Sequence, residues 1–330
     1  MTQAGAAPAP PTQTGAEPGG AERDGAETGG AAASPAHRRS LLSRARWQGV
    51  GTALRSPATL SLLPLGLILL LFFIVPIVGM AIIAVTVTTQ DGGTGVGMDN
   101  FLALNRGSHS AAIVNSVQVS LVGSAIAAVV GTLTSFCISQ IRSEKLDSVV
   151  AVFTSVLAND GGAPLAFSFI VTLGNAGVIF GMLNLGATGF SLYSWQGLVV
   201  MYQYFLIPTM IMVSLPTFVG LRKEWREANA ALGGSASTFW RRVGLPIAAP
   251  ALLGGWILCF GAAFATHASA AVLIGAGGYP LIPLNIGDLL GQAGDSQQVA
   301  MALGVTMVVI AVATLFAFNR LQSRSARWMR

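Results

Sequence analysis

Residues 221–246 have the sequence LRKEWREANAALGGSASTFWRRVGLP, a basic stretch between two long apolar runs. Trp225, Ala228 and Leu232 recur at positions i, i+3 and i+7, which gives a short helix one weakly apolar face. A short amphipathic helix between apolar runs is typical of a loop at a membrane surface.

The second half of this stretch predicts a bend. Gly233 and Gly234 provide a C-terminal stop for the first helix, and Ser235 can cap a second one. The second helix is expected to present Phe239, Trp240 and Val243 before Pro246 ends it. The loop is therefore predicted to be a bent helix-turn-helix.

The composition around this loop is that of a membrane protein. Of 330 residues, 53% are hydrophobic and 9% charged, where a soluble domain has about 25% charged residues. Cys137 and Cys259 lie in apolar runs without partner spacing, so neither a disulfide framework nor a metal site is predicted. The sequence has no HExxH motif and no GxxxxGK[ST] loop, so the chain is not expected to bind ATP itself.

A transmembrane helix needs about 20 apolar residues. Six intervals of the sequence fit: 60–87, 113–138, 149–173, 198–219, 249–274 and 299–318. The predicted fold is an all-α membrane protein with six transmembrane helices, and the basic loop connects the fourth to the fifth.

The basic residues indicate the orientation. With the N-terminus inside, all of the 18 Lys and Arg residues except Arg106 fall in cytoplasmic segments, which is the positive-inside pattern. Both termini are therefore predicted to be cytoplasmic. The net charge of +5 comes from basic residues placed along the cytoplasmic side of the lipid bilayer, so nucleic acid is not an expected partner.

The N-terminal segment differs from the rest. Residues 1–37 are rich in Ala, Gly, Pro and Thr, a composition that predicts disorder. Residues 38–55 contain several arginines and Trp47, which suits a cytoplasmic surface. We expect a tail and juxtamembrane segment over 1–55 and a transmembrane domain over 56–330.

The loop closely resembles the signature loop of permease subunits of ABC importers, whose pattern is Glu-Ala-Ala, three residues, Gly, nine residues, then Ile-x-Leu-Pro. The matching positions are Glu227, Ala228, Gly233, Leu245 and Pro246. Asn229 replaces the second Ala, and Val243 replaces Ile.

The resemblance implies that residues 222–246 form a coupling loop that docks on a separate ATPase, with Gly234 and Ser235 adjoining the matched positions. ATP and Mg would bind to an ATPase dimer, and this chain would be a non-catalytic subunit of the inner membrane. It would form half of the translocation pathway beside a second permease, identical or homologous. An extracytoplasmic solute-binding protein would complete the importer.

Within that family, the stretch around Asn159 and the overall layout look most like permeases for polyamines, iron, thiamine and phosphonates. A small polar solute of this kind is the expected substrate. A sugar-type importer permease is the alternative within the family.

Asp160 is the carboxylate inside a predicted span, and such residues are functional candidates by default. It lies in Asn159-Asp160-Gly161-Gly162 with Pro164 following, which should break the third span and could form part of a substrate site. Asn159 or Asp160 could equally cap the half-helix that Pro164 begins.

Further pathway candidates lie on the fourth and fifth spans. His267 could contact substrate or serve as a hydrogen-bonding group between helices. Tyr202, Gln203 and Tyr204 could bind a cation or form part of an aromatic belt.

Two other function classes compete with the importer. An autonomous channel or secondary transporter is disfavoured because the sequence has no inverted repeat and no chain of intramembrane acids. An intramembrane hydrolase would need a motif such as GxSG, GxGD or HExxH, and none occurs. Dependence on an ATPase partner discriminates between these classes.

Overall fold

The computed structural model describes residues 64–88, 93–141, 143–292 and 296–325. The chain divides into two units, 1–67 and 68–330, and only residues 64–67 of the first are described. The predicted tail and juxtamembrane segment over 1–55 lie outside the described residues.

Within the described ranges, helices form nearly all of the structure. Their bounds in chain order are α1 Pro64–Val85, α2 Asp99–Ala103, α3 Gly107–Ile141, α4 Glu144–Asn159, α5 Ala163–Leu173, α6 Val178–Met182, α7 Trp195–Val219, α8 Lys223–Ala231, α9 Ala236–Phe239, α10 Leu245–Ala265, α11 Ala268–Gly278, α12 Ile282–Leu290 and α13 Ser296–Ser325. The strands β1 Thr86–Thr88 and β2 Thr94–Val96 form an antiparallel pair after α1.

Six helices of the described chain are long and apolar enough to cross a membrane: Pro64–Val85, Gly107–Ile141, Ala163–Met182, Trp195–Val219, Ala236–Ala265 and Ser296–Ala317. This confirms the predicted number of apolar helices and the all-α class. The fourth is the most buried, because α7 packs against α3, α4 and α10. α1 and α12 pack against α13.

The predicted bounds of the third and fifth spans are wrong. The third interval, 149–173, covers most of α4 and all of α5, which are separate helices. The apolar helix of this region begins at Ala163 and continues to Met182. The break between Asn159 and Ala163 agrees with the one predicted beside Pro164. The fifth interval also breaks, at Thr266, which the sequence did not predict, and its apolar helix begins at Ala236.

Pro246 does not end the second short helix of the loop. It lies in the first turn of α10, which follows α9 directly through a π-helical turn, Trp240–Gly244. In this turn the Leu245 N–H bonds to the Trp240 carbonyl, five residues back. The widened π-helical turn directly before Pro246 accommodates a proline inside a helix, so α9 and α10 join into one continuous helix.

Close helix packing depends on small residues, as expected within a membrane. A Cβ on Gly131 of α3 would lie 2.7 Å from the Met210 Cβ of α7 and 3.2 Å from the Ile207 carbonyl oxygen. These atoms belong to the backbone or lie next to it, so they cannot move aside independently. Gly131 therefore sets the separation of α3 and α7.

We predict that Gly131→Ala lowers the free energy of unfolding by about 1–3 kcal/mol relative to Gly254→Ala, because it overpacks the α3–α7 contact. Gly254 lies within α10 and has open space around an added Cβ. Both substitutions gain similar helix propensity, so their difference isolates the contact. The measurement is thermal unfolding in detergent by tryptophan fluorescence, and equal midpoints for the two variants would contradict the prediction.

Candidate functional site: the coupling loop and the break cavity

The first helix of the coupling loop is largely uncovered. In α8 each side chain except Asn229 is exposed, including Trp225 at 39% and Glu227. Leu232, just after the helix, is 88% exposed. The weakly apolar face predicted from the sequence is thus present and uncovered.

The turn after α8 has the geometry of a Schellman motif. The Gly234 N–H donates to the Asn229 carbonyl at 2.8 Å, and the Gly233 N–H donates to the Ala230 carbonyl at 2.9 Å. Gly233 has a φ of 75°, which favours glycine. The glycine stop predicted from the sequence is confirmed.

Asn229 locks this turn, a role that the sequence did not reveal. Its side-chain amide donates to the carbonyls of Gly234 at 2.9 Å and Ser235 at 3.1 Å. A Cβ on Gly234 would clash with that amide. The residue that departs from the family pattern therefore holds α8 to the start of α9.

The second half of the loop is anchored in the protein. The Ser235 hydroxyl accepts the Thr238 N–H at 3.2 Å, which confirms the predicted cap. Phe239 is 1% exposed rather than presented outward. The Trp240 ring meets Phe136 of α3 at 5.1 Å and Phe218 of α7 at 6.3 Å between centroids.

Arg226 provides a second connection between α8 and the helical core. Its guanidinium lies 5.8 Å from the centroid of the Phe239 ring and donates to the Gln140 side-chain oxygen of α3 at 3.4 Å. The coupling loop thus combines an uncovered helix with a fixed attachment.

The residues predicted for ATPase coupling fall into two groups. Glu227, Ala228, Gly233, Gly234 and Ser235 lie on the uncovered half of the loop, where all but Gly234 are exposed. Leu245, which is 54% exposed, and Pro246 lie at the start of α10.

A second site lies where two helix breaks meet. We call it the break cavity, a space of about 360 Å³ between the ends of α4 and α10 and the starts of α5 and α11. Its lining residues are Ala158, Asn159, Gly161, Gly162, Phe205, Ala262, Thr266, His267, Ala268 and Ser269. The structure thus brings together two predicted pathway residues, Asn159 and His267, from distant parts of the sequence.

Asp160 lies beside this cavity but does not line it. Its carboxylate is exposed and accepts a hydrogen bond from the Tyr204 hydroxyl at 2.9 Å. The Asn159 amide donates to the Ser155 carbonyl within α4, and the N-cap of α5 is Gly162, without a side-chain cap. The expectation that Asn159 or Asp160 caps the half-helix at Pro164 is therefore wrong.

Tyr202 and Gln203 lie elsewhere on α7. Tyr202 is 1% exposed in the helical core, and the Gln203 amide donates to the carbonyls of Gly123 and Val199. Neither lines the break cavity, and their part in a pathway stays a prediction.

Phe205, Thr266 and Ser269 are among the cavity residues that sequence reasoning missed. Phe205 adjoins the tyrosines predicted for the pathway, and Thr266 and Ser269 flank His267. The Thr-His-Ala-Ser stretch after an apolar run was the available signal for a helix break. Among the described residues, no group of three or more His, Cys, Asp or Glu side chains could hold a metal ion.

Two curated proteins are similar to the chain in sequence. The spermidine/putrescine transport system permease PotC of Haemophilus influenzae is 25% identical over 202 residues, covering 61% of this chain and 72% of that protein. The trehalose transport system permease SugB of Mycobacterium tuberculosis is 24% identical over 181 residues, covering 53% and 60%. No protein-family model matches the chain.

Solved structures agree in fold. A bacterial ABC transporter that imports the acidic polysaccharide alginate has a chain with a TM-score of 0.63 and 18% identity, covering 84% of this chain and 98% of that one. The same type of transporter in complex with an alginate pentasaccharide-bound periplasmic protein gives a TM-score of 0.62 at 17% identity, covering 84% and 97%. With its six apolar helices the chain is an all-α membrane protein, and its relatives in sequence are permease subunits of ABC importers.

Proposed function

We propose that this chain forms half of the translocation pathway of an ATP-driven solute importer and is moved by a separate ATPase through its coupling loop. The proposal rests on the exposure and attachment of α8. This helix is exposed along its length, and its end is attached to a continuous helix of the bundle. A helix of this kind suits docking into a groove on a partner.

The charges of the loop suit an ATPase surface. Arg222, Lys223 and Arg241 are exposed together with Glu224 and Glu227, so that charge-assisted hydrogen bonds with a partner are available. ATP and Mg would bind on that partner. With the coupling loop on the cytoplasmic side, both termini of the chain would be cytoplasmic, as the distribution of basic residues predicts.

Because the chain would form only half of the translocation pathway, we expect further subunits. A second permease, identical or homologous, would complete the channel, two ATPase copies would drive it, and an extracytoplasmic binding protein would deliver the solute. The alginate transporter was solved with its periplasmic protein, which supports a corresponding partner here.

The substrate is proposed only as a class, a small polar solute. The relatives are named for a polyamine, a disaccharide and an acidic polysaccharide, so their names do not select one cargo. The polyamine relative agrees with the subgroup expected from the sequence, and the trehalose relative with the sugar-type alternative.

We predict that the tagged chain, extracted from its native membrane in mild detergent, co-purifies with an ATPase and a solute-binding protein. The double variant Glu227→Ala, Gly233→Asp should lose the ATPase, because it removes a charged contact and strains a residue with a φ of 75°. Mass spectrometry of the companions is the measurement. Asp288→Ala is the matched control, since it removes an exposed carboxylate from the connection between the fifth and sixth apolar helices.

Retention of the ATPase by the double variant would contradict docking through α8. If no ATPase accompanies the natural sequence and transport continues without ATP, the channel or secondary-transporter alternative replaces the importer.

We also predict that Asn229→Ala loosens the link between α8 and α9, because two hydrogen bonds that hold the turn are lost. Each such bond contributes about 1 kcal/mol, so amide hydrogen exchange over residues 223–235 should be several-fold faster. Ser237→Ala, an exposed position on α9, should leave exchange unchanged. Equal exchange in the two variants would show that the turn is held by its backbone alone.

A further inference from the structure

The Asp160 carboxylate lies at the depth of the membrane interior. It accepts a hydrogen bond from the Tyr204 hydroxyl at 2.9 Å, and Tyr204 is the tenth of the 25 residues of α7. Tyr204 therefore lies about 5 Å from the middle of that helix, inside a hydrocarbon layer about 30 Å thick. A carboxylate at this depth is costly unless it meets water or a partner group.

The described part of the chain gives this carboxylate no cationic partner. On the six apolar helices, as far as they are described, Lys and Arg occur only as Arg241 and Arg242, near the start of the fifth. Lys145 lies at the beginning of α4, about 22 Å along the helix from Asp160. His267, the other ionisable side chain at the breaks, forms no ion pair with Asp160. A second, identical copy would bring the same helices, so a counter-charge has to come from another molecule.

The carboxylate is accessible to such a molecule. Asp160 is exposed, and the Tyr204 hydroxyl occupies one of its two oxygens, Oδ2. An ionised carboxylate has about four acceptor positions, so most of them stay open to a donor. Two helix ends and two helix beginnings meet at the breaks, so their partial charges largely cancel. The net charge at this place is therefore the negative charge of Asp160.

Aromatic rings adjoin the carboxylate. Phe169 of α5 meets Tyr204 edge to face, with 6.2 Å between centroids and 89° between the ring planes. Phe205, the next residue of α7, lines the break cavity. The faces of such rings attract cations, most strongly where water is excluded. Among the described residues no group of three or more His, Cys, Asp or Glu could hold a metal ion, so this combination suits an organic ammonium group better than a bare metal ion.

We propose that Asp160 binds a protonated amine of the transported solute, beside the rings of Tyr204 and Phe169. This assignment rests on the proposed transport function and narrows its substrate class from a small polar solute to an organic cation. The Tyr204 hydroxyl holds the carboxylate in place, and the amine donates hydrogen bonds to the oxygen positions that Tyr204 leaves open. The positive charge of the solute offsets the intramembrane charge of Asp160 while the solute passes.

The test uses a cysteine reporter beside Asp160 in the full-length chain, purified in neutral detergent with its companions. Gly161→Cys, where an added side chain has open space, is introduced into a Cys137→Ser background, because Cys137 is exposed whereas Cys259 is buried. The rate of modification by methyl methanethiosulfonate, which is uncharged and does not react with amines, is followed by mass spectrometry. Methylammonium chloride, putrescine dihydrochloride and sodium sulfate are compared with sodium chloride at equal ionic strength, and trehalose is added to sodium chloride as the neutral solute.

An amine should slow modification about threefold at about twice its Kd, and sulfate and trehalose should not. Each rate is compared with that of the same variant in sodium chloride. The protection should disappear when Asp160→Asn is added, and it should remain with Asp160→Glu. Asp288→Asn is the matched control, since it removes an exposed carboxylate far along the chain, and it should leave the protection unchanged.

Two further reporters support the measurement. Ala268→Cys, at the exposed start of α11, reports from the opposite break in case Gly161→Cys does not fold. Ser237→Cys, on α9, should show no protection by amines.

Protection by sulfate or trehalose instead of the amines, or protection that survives Asp160→Asn, would overturn the assignment. Equal protection at Ser237→Cys would show a general effect of amines and would also overturn it. If Asp160→Asn changes the size of the purified assembly, the carboxylate serves a subunit contact and the assignment is wrong. The companions are identified in the same preparation, so a lack of amine protection with the ATPase present refutes the cation site alone. Absence of the ATPase would count against the importer instead.

Discussion

The strongest constraint on this chain is that backbone N–H and C=O groups within a bilayer must find partners inside the protein. Two breaks in otherwise continuous apolar segments, after Asn159 and after Ala265, are compatible with that constraint only where they face protein or a water-filled space. In the structure they face each other, with Gly162 close to Ala268. The break cavity lies between them, and at each break a side chain, Asn159 or Thr266, donates to a carbonyl of its own helix.

In the proposed importer the coupling loop has a different requirement, since it would have to be free to dock and yet be fixed to the bundle. The fixed part is aromatic: Trp240 packs edge-on against Phe136 of α3, and Phe218 of α7 lies alongside. The free part is α8, joined to this anchor by a glycine turn that Asn229 locks. Gly233 and Gly234 lie in the turn, so α8 has no glycine of its own and is a separate rigid element from the anchored α9.

The sequence predicted the features that depend on local chemistry. The glycine stop at Gly233, the Ser235 cap and the number of apolar helices follow from residue type and spacing over short distances, and all are present. Predictions from the sequence failed where contacts between distant residues determine whether a side chain is buried. Phe239 is buried and Trp240 is anchored by Phe136, which lies more than a hundred positions earlier in the chain. The break at Thr266 was missed because residues 262–270 contain no proline or glycine, which leaves the polar residues around His267 as the local signal.

α10 connects the two sites. It begins at Leu245 beside the anchored half of the loop and ends at Ala265 beside the break cavity. Its 21 residues correspond to about 30 Å of helix. The opposite wall of the cavity belongs to α4 and α5, and α4 is held by α7. In the proposed importer, a movement of α8 would reach Thr266 and His267 through α10, and the packing of α7 on both α10 and α4 would carry it to the opposite wall. This continuous helical link between the loop and the break cavity is what the proposed coupling of an ATPase to a solute pathway would require.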